Sequence, residues 1–221
     1  MADPSRHAGI GLTSARARER LIEQLRAAGV AETRVLDAVR DTPRHVFVEE
    51  ALASRAYENV TLPIGHGQTI SQPQVVARML CALLDGPPLT RVLDVGTGSG
   101  WLAALLAHLV PQVYSIERIA PLAARARQAL RELRIRNVAL LVGDATDGMP
   151  AAAPFDGIVC SAAAEAVPPA WLAQLAPGGR LVMPCGPAGA QELVRITHAG
   201  DVLHRQTLGP VSFVPLRRGR G

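Results

Sequence analysis

The chain has 221 residues, of which 48% are hydrophobic, and this is enough for one sizeable domain with a buried core. Its 23 basic residues are all arginines, which excludes mechanisms that need a lysine, such as Schiff-base formation and phosphate-loop chemistry. The net charge of +4 is spread along the chain and aromatic residues make up only 3%, so we expect a mild preference for acidic ligands and no nucleic-acid binding.

Three cysteines, Cys81, Cys160 and Cys185, lie far apart and outside any CxxC or Cys/His cluster. This pattern predicts reduced, buried thiols in a cytoplasmic protein without a metal site. The N-terminus shows no apolar signal stretch, and the longest apolar run, 101–110, is about half the length that a bilayer requires. We therefore expect a protein that is neither exported nor bound to a membrane.

The first 88 residues predict helices and an irregular segment. Residues 1–12 are polar and are expected to be flexible. An amphipathic helix from residue 13 or 14 should end at Gly29, and a shorter one should span 32–40. Residues 41–72 show no sustained period and many turn residues, so we expect an irregular segment that covers a site, followed by an apolar helix over 73–84.

From residue 89 onward, short apolar runs alternate with helical patterns. Strands are predicted at 91–96, 112–116, 138–142, 155–160 and 179–184, and helices at 99–109, 121–136 and 169–176. This order predicts an α/β fold with a doubly wound, mainly parallel, Rossmann-like sheet, and the runs at 192–197 and 202–207 predict antiparallel edge strands. We expect a single domain over 13–216, made of an N-terminal part (13–88) and a core (89–216), before a basic tail at 217–221.

The glycine-rich stretch VLDVGTGSGW, at 92–101, follows a predicted buried strand and opens a helix. Glycines allow the backbone to approach a ligand there, and the helix N-terminus offers free amides. A dinucleotide fingerprint beginning at Gly96 would require glycine at position 101, where the chain has Trp101. The GxGxG spacing is instead typical of S-adenosyl-L-methionine-dependent methyltransferases. The candidate cofactor residues are Asp94, Gly96, Thr97, Gly98, Ser99 and Gly100.

Acidic residues follow the next two strands. Glu117 lies 21 residues after Gly96, where a carboxylate can accept both ribose hydroxyls, and Arg118 follows it. Asp144, followed by Ala145, can reach an adenine amino group after the third strand. Because the carboxyl ends of parallel strands share an edge, these positions together predict one nucleoside site. Taken singly, the GxGxG run could be a structural turn, Glu117 a solvated acid and Asp144 a helix cap.

The chain resembles the protein-L-isoaspartate O-methyltransferases, which are class I methyltransferases, over about residues 14–216. The most specific match is GQTISQP at 67–73, about twenty residues before DVGTGSG. Other matches are PRHVFV at 43–48, GDAT at 143–146, APFDGIVCSAAAEAVP at 153–168, LAPGGRLVMPCGP at 175–187 and FVPL at 213–216. Two positions depart from the pattern: Ala145 stands where glycine is frequent, and Trp101 where tyrosine or an aliphatic residue is frequent.

The resemblance implies transfer of a methyl group from S-adenosyl-L-methionine to the free α-carboxylate of L-isoaspartyl and D-aspartyl residues in damaged proteins. The resulting ester closes to a succinimide, which begins repair. The resemblance also implies that the partners are isoaspartyl proteins and peptides. We expect a monomer, although the sequence itself does not reveal the oligomeric state. It assigns Ser71 as the active-site residue, and Thr69, Ile70, Gln72, Val214 and Pro215 as substrate-binding residues.

The chemistry of such an acceptor fits the absence of an evident catalytic triad or carboxylate pair in the sequence. An α-carboxylate has a pKa of about 3.3 to 3.7, so it is already ionised at neutral pH and needs no general base. The Thr69–Ser71 run would supply hydroxyls and amides that orient it. Considered without the resemblance, Ser71 is also a candidate helix N-cap, because the helical pattern begins beside Pro73.

Two alternatives remain at the level of sequence. The first is a methyltransferase for nucleic acid or a small molecule. The fourth strand is followed by CSAAAEAVPP, which lacks the Asn/Asp-Pro-Pro-aromatic motif of amino-methylating DNA enzymes. A Pro-Cys pair, Pro184 and Cys185, comes one strand too late for a cytosine C5 enzyme, so we interpret Cys185 as structural. The second alternative is a non-catalytic scaffold, against which the intact glycine and acidic positions argue.

Overall fold

The computed structural model describes residues 14–200 and 202–219. The flexible segment expected at 1–12 and the last two residues of the basic tail lie outside these ranges. The N-terminal part contains three helices, α1 (Ala15–Ala27), α2 (Thr33–Asp41) and α3 (Pro73–Leu84). Between α2 and α3 lie two 3₁₀ turns, Arg44–Phe47 and Glu50–Arg55, and a hairpin of β1 (Leu62–Gly65) and β2 (Gln68–Ile70).

The hairpin gives regular structure to a segment whose sequence predicted none. Leu62 pairs with Ile70, and both side chains are buried in the main core. The turn requires positive φ at three successive residues, including His66 at 53°. The strands contain only four and three residues, so no period could be recognised in the sequence.

The central sheet confirms the predicted fold class. Its seven strands lie in the order β5-β4-β3-β6-β7-β8-β9, the first five parallel and the last two joined by antiparallel pairing. The strands are β3 (Arg91–Val95), β4 (Gln112–Glu117), β5 (Val138–Val142), β6 (Phe155–Cys160), β7 (Leu175–Cys185), β8 (Gln191–Ala199) and β9 (Val202–Val211). The connecting helices are α4 (Trp101–Leu109), α5 (Ala120–Glu132) and α6 (Pro169–Leu172).

Both faces of the inner parallel strands are buried, which explains their continuous apolar sequences, whereas Leu141 of the edge strand β5 is exposed. Val92 and Val159 belong to the core shared with the N-terminal helices, whereas Leu93 and Ile158 belong to a second core on the opposite face. Trp171 of α6 lies in that second core and is fully buried. Alternate residues of one strand thus contact different layers, as the period of two requires.

Several predicted boundaries were wrong, among them those of α4, α5, α6 and β7. Helix α5 ends at Glu132 rather than 136, ahead of Arg134 with its φ of 57°. Helix α4 begins at Trp101 rather than 99 because Gly100 has a φ of 91° and cannot be helical. Helix α6 ends at Leu172 rather than 176, and β7 begins at Leu175 rather than 179. The β6–β7 pairing contains an irregularity, beyond which Leu175 pairs with Phe155. Residues 175–178 therefore belong to β7. None of the described helices is long and apolar enough to cross a bilayer.

Candidate active site

The glycine-rich loop reverses direction sharply at the carboxyl end of β3. Gly96, Gly98 and Gly100 have φ values of 83°, 54° and 91°, in the left-handed region that glycine tolerates best. The amides of Gly96 and Thr97 donate to the carbonyl of Ile116 on the neighbouring strand, at 2.9 and 3.2 Å. These bonds fix the loop against the sheet, so that the turn brings its backbone to the edge of a cavity.

Glu117 lies beside this loop, as its position at the end of β4 predicted. Its carboxylate accepts hydrogen bonds from the amides of Gly98 and Ile119, each at 2.8 Å. The side chain is buried yet lines the cavity. Since each carboxylate oxygen has more than one acceptor position, Glu117 can hold the loop and still accept from a ligand.

Asp94 lies beneath the loop and does not line the cavity. One of its oxygens accepts from the hydroxyl of Ser115 at 2.7 Å, and that hydroxyl is 2.5 Å from the hydroxyl of Thr97. The other oxygen, Oδ1, has no hydrogen-bond partner among the described residues. Burial, together with the nearby charge of Glu117, raises the pKa of Asp94 to about 7, although the Ser115 bond acts in the opposite direction.

Asp144, at the end of β5, is bound by its own loop and by the C-terminal segment. One carboxylate oxygen accepts from the amide and hydroxyl of Thr146, and the other from the amide of Gly219. The carbonyl of Gly219 in turn accepts from Arg118 at 3.0 Å. The start of the basic tail therefore lies beside the two strand ends that the sequence assigned to the cofactor.

A small cavity of about 70 Å³ lies among these strand ends. It brings together five residues that the sequence assigned to the cofactor, namely Gly96, Gly98, Glu117, Arg118 and Ala145. Thr97, Ser99 and Gly100 belong to the same loop but do not line the cavity. Two glycines, a carboxylate acceptor and the small Ala145 fit a nucleoside. Residues 214–217 form the outer wall of this cavity.

A larger groove of about 650 Å³ adjoins this cavity and shares Thr69 and Val214 with it. Ser71 and Gln72 line the groove, whereas Pro215 lines the cavity. Ile70, also expected at the substrate, instead turns into the main core. Within the described ranges the hydroxyl of Ser71 has no hydrogen-bond partner, so it is available to a ligand in the groove.

The expectation that Ser71 caps a helix was wrong. The N-cap of α3 is Gln72, and it makes no side-chain capping bond. Pro73 is the first helical residue and lacks an N–H group, so the first turn has one fewer backbone amide that needs a capping partner. Ser71 lies one residue outside the cap, with its hydroxyl uncommitted.

The sequence reasoning missed Ser161 and Gln68. Ser161 follows β6, lines the cavity and donates from its hydroxyl to the carbonyl of Gly96 at 3.0 Å. A polar residue at the carboxyl end of a fourth parallel strand was the available signal. Gln68 reaches the cavity from β2, and no signal could have revealed it because the hairpin itself was not predicted.

Comparison with known proteins agrees with this geometry. The family model described as protein-L-isoaspartate(D-aspartate) O-methyltransferase matches residues 16–221. Proteins named protein-L-isoaspartate O-methyltransferase from Halorhodospira halophila and Alkalilimnicola ehrlichii are 56% and 53% identical, over 96% and 98% of this chain and 97% and 99% of theirs.

Solved structures extend the similarity to the fold. A Plasmodium falciparum structure described as a protein-L-isoaspartate O-methyltransferase, in complex with S-adenosyl-L-homocysteine, has a TM-score of 0.79 at 25% identity and covers 90% of this chain and 98% of that one. Another structure with the same enzyme name has a TM-score of 0.80 at 26% identity, over 90% of this chain and 65% of that one.

The family match spans nearly the whole chain, including the TIS loop, the glycine loop and the FVPL segment. It excludes the nucleic-acid and small-molecule alternatives raised by the sequence. The chain therefore belongs to the protein-L-isoaspartate(D-aspartate) O-methyltransferase family and is an S-adenosyl-L-methionine-dependent carboxyl methyltransferase.

Proposed function

We propose that the chain methylates the free α-carboxylate of L-isoaspartyl residues, and the free β-carboxylate of D-aspartyl residues, where its cavity and groove meet, with Ser71 orienting the acceptor. The observation that carries this proposal is the shared wall of Thr69 and Val214 between the cavity and the groove that contains Ser71. Because both spaces are lined by these two residues, ligands in the cavity and in the groove would lie next to each other. The bound S-adenosyl-L-methionine supplies an electrophilic methyl group on a positively charged sulfur.

The cofactor residues would bind the ribose and the adenine of the donor. Glu117 would accept from the ribose hydroxyls while it continues to hold the amide of Gly98. Ala145 leaves room for the adenine ring, and Asp144 would bind the adenine amino group once it releases the amide of Gly219. Asp94 supports the loop through Ser115 and Thr97 rather than by contact with the ligand.

The substrate residues have to align the acceptor rather than activate it. An ionised carboxylate is itself the nucleophile, so the Ser71 hydroxyl donates a hydrogen bond to one oxygen and leaves the other directed at the methyl group. Alignment of this kind can supply roughly 7 to 11 kcal/mol of the barrier. The FVPL segment, through Val214 and Pro215, would hold the flanking peptide. In the ester product of an isoaspartyl residue, the nitrogen of the following peptide bond then attacks the ester carbonyl. A C–N bond forms, the ester C–O bond breaks and methanol leaves with the amide proton, which closes the succinimide.

The proposal is tested by Ser71→Ala. Loss of a hydrogen bond to a charged oxygen costs about 1.5 to 3 kcal/mol, so kcat on an isoaspartyl peptide should fall roughly 10- to 150-fold. Cofactor affinity, measured by calorimetry, should stay within a factor of three. The control variant is Ser54→Ala, which removes an exposed hydroxyl from a 3₁₀ turn. Unchanged turnover in Ser71→Ala would remove Ser71 from the mechanism.

A second measurement tests the substrate class. Labelled methyl transfer should occur to an isoaspartyl peptide and not to the same peptide with a normal aspartyl residue, since only the former presents a free α-carboxylate in the groove. Equal labelling of both peptides would overturn the assignment.

We also propose that the protein acts as a cytoplasmic monomer without nucleic-acid or membrane partners. Its three cysteines are free thiols, as a reducing compartment would keep them. Sedimentation of the purified protein tests the monomer, and a larger species at working concentration would contradict it.

A further inference from the structure

Arg44 is a buried cation that the reaction scheme above does not use. It lies at the start of the first 3₁₀ turn, only 1% exposed, between the loop that carries Ser71 and the helix that follows the glycine loop. The described residues offer it no carboxylate partner. Burial lowers its pKa to about 10, which still leaves the guanidinium charged at neutral pH.

The guanidinium binds three backbone carbonyl groups from two separate segments. Nη1 donates to the carbonyl of Ala56 at 2.6 Å, and Nη2 donates to those of Val60 and Ser71 at 3.1 and 3.0 Å. A planar fork can hold several oxygens in a fixed relation, which an ammonium group cannot do. The carbonyl of Ser71 is therefore tied directly to the chain ahead of the hairpin.

The same guanidinium lies over Trp101, with its central carbon 5.0 Å from the ring centroid. Trp101 is the first residue of α4 and directly follows Gly100 of the glycine loop. It is 1% exposed, so the ring has little freedom to move. A cation over an indole face is attracted by the ring, more strongly when the pair is removed from water. Arg44 thus contacts both the acceptor side and the donor side of the site.

We propose that Arg44 is a positioning residue, which sets the place of Ser71 relative to the methyl donor by joining the Ser71 carbonyl to Trp101. This inference rests on the proposed role of Ser71. Methyl transfer requires oxygen, carbon and sulfur in line, and a misplacement of about 1 Å can cost roughly 100-fold in rate. A residue that fixes the distance between the two loops therefore acts on kcat without touching either ligand.

The test compares Arg44→Lys with a matched control, Arg180→Lys. Arg180 is also 1% exposed. It also donates to three carbonyl groups, those of Leu83, Pro87 and Gly178. Both variants lose a buried fork, so both should lower the melting temperature. Only Arg44→Lys should lower kcat, by about 10-fold or more, with KM and cofactor affinity within a factor of three.

A double-mutant cycle with Ser71→Ala distinguishes positioning from general damage. If Arg44 acts through Ser71, Arg44→Lys should matter less once the Ser71 hydroxyl is gone. The factor by which Arg44→Lys lowers kcat in the Ser71→Ala background should be less than half of the factor by which it lowers kcat in the parent. Trp101→Phe keeps an aromatic face beneath the cation and should retain most of the activity, whereas Trp101→Leu should behave like Arg44→Lys.

The two proposals fail in different ways. Full activity of Ser71→Ala would reject the role of Ser71 itself. If Ser71→Ala is impaired but Arg44→Lys keeps its kcat, or loses no more than Arg180→Lys, the inference about Arg44 is wrong while Ser71 stands. The inference about Arg44 would also be wrong if kcat of the double variant is lowered by the product of the two single-variant factors. Should Arg44→Lys fail to fold, the pair Trp101→Phe and Trp101→Leu decides, and equal kcat in those two variants would reject the link.

Discussion

The carboxyl group of Asp94 should make folding stability depend on pH near neutrality. Its side chain is completely buried, one oxygen has no partner among the described residues, and its pKa is raised from 3.8 to about 7. Between these two values the folded chain keeps a proton that the unfolded chain has released. The contribution of Asp94 to stability is therefore greatest at low pH and is lost as pH rises from about 4 to 7.

The magnitude follows from the two pKa values. Each unit of difference corresponds to about 1.4 kcal/mol, and titration from pH 5 to pH 8 crosses most of the interval, so the free energy of unfolding should fall by roughly 2 to 3 kcal/mol through this group. In Asp94→Asn the side chain does not titrate. The free energy of unfolding of the variant should therefore rise by roughly 2 to 3 kcal/mol relative to that of the parent when the pH is raised from 5 to 8.

Urea unfolding of both proteins at pH 5 and pH 8 measures this difference, because the other titrating groups are common to the pair and cancel. Ser115→Ala serves as a control, since it removes the hydrogen bond that lowers the pKa of Asp94 and should extend the pH dependence to higher pH. The reasoning would be refuted if the difference in unfolding free energy between parent and Asp94→Asn is the same at pH 5 and pH 8 within about 0.5 kcal/mol.

Two further predictions concern the glycine loop. Glu117→Ala should weaken cofactor binding about 10-fold or more in calorimetry, because it removes an acceptor from the cavity and frees the amide of Gly98; unaltered affinity would reject the ribose assignment. Gly100→Ala should lower the unfolding free energy by roughly 2 to 5 kcal/mol, because the new Cβ would lie 2.9 Å from that of Ala126 at a φ of 91°. Gly29→Ala, at a φ of 90° with nothing within 4 Å, is the control and should lose only about 1 to 2 kcal/mol; equal losses would contradict the packing argument.

The part of the site that lies on the parallel sheet could be predicted because it depends on local order. Gly96, Glu117 and Ala145 each follow a strand that is recognisable from its apolar run, and parallel strands present their carboxyl ends at one edge. Their meeting in one cavity required no knowledge of side-chain contacts. Boundaries such as the start of β7 failed because pairing with Phe155, distant in sequence, decides them.

The substrate side could be located only by resemblance, since no period marks residues 41–72 and the hairpin is too short to show one. That the Ser71 hydroxyl is uncommitted, that Ile70 turns inward and that Gly219 binds Asp144 are results of packing between segments far apart in the chain. Arg44 illustrates the same limit, because only the fold surrounds its side chain with carbonyl groups and an indole ring.

The sequence alone thus determined the doubly wound sheet and the cofactor edge, because hydrophobic period and strand-end chemistry are local properties. The tertiary structure decided where the acceptor loop lies relative to that edge. The reason is that Arg44 binds the carbonyl of Ser71 and that Val214 lines the same groove as Ser71, and no spacing along the chain encodes such contacts between distant segments.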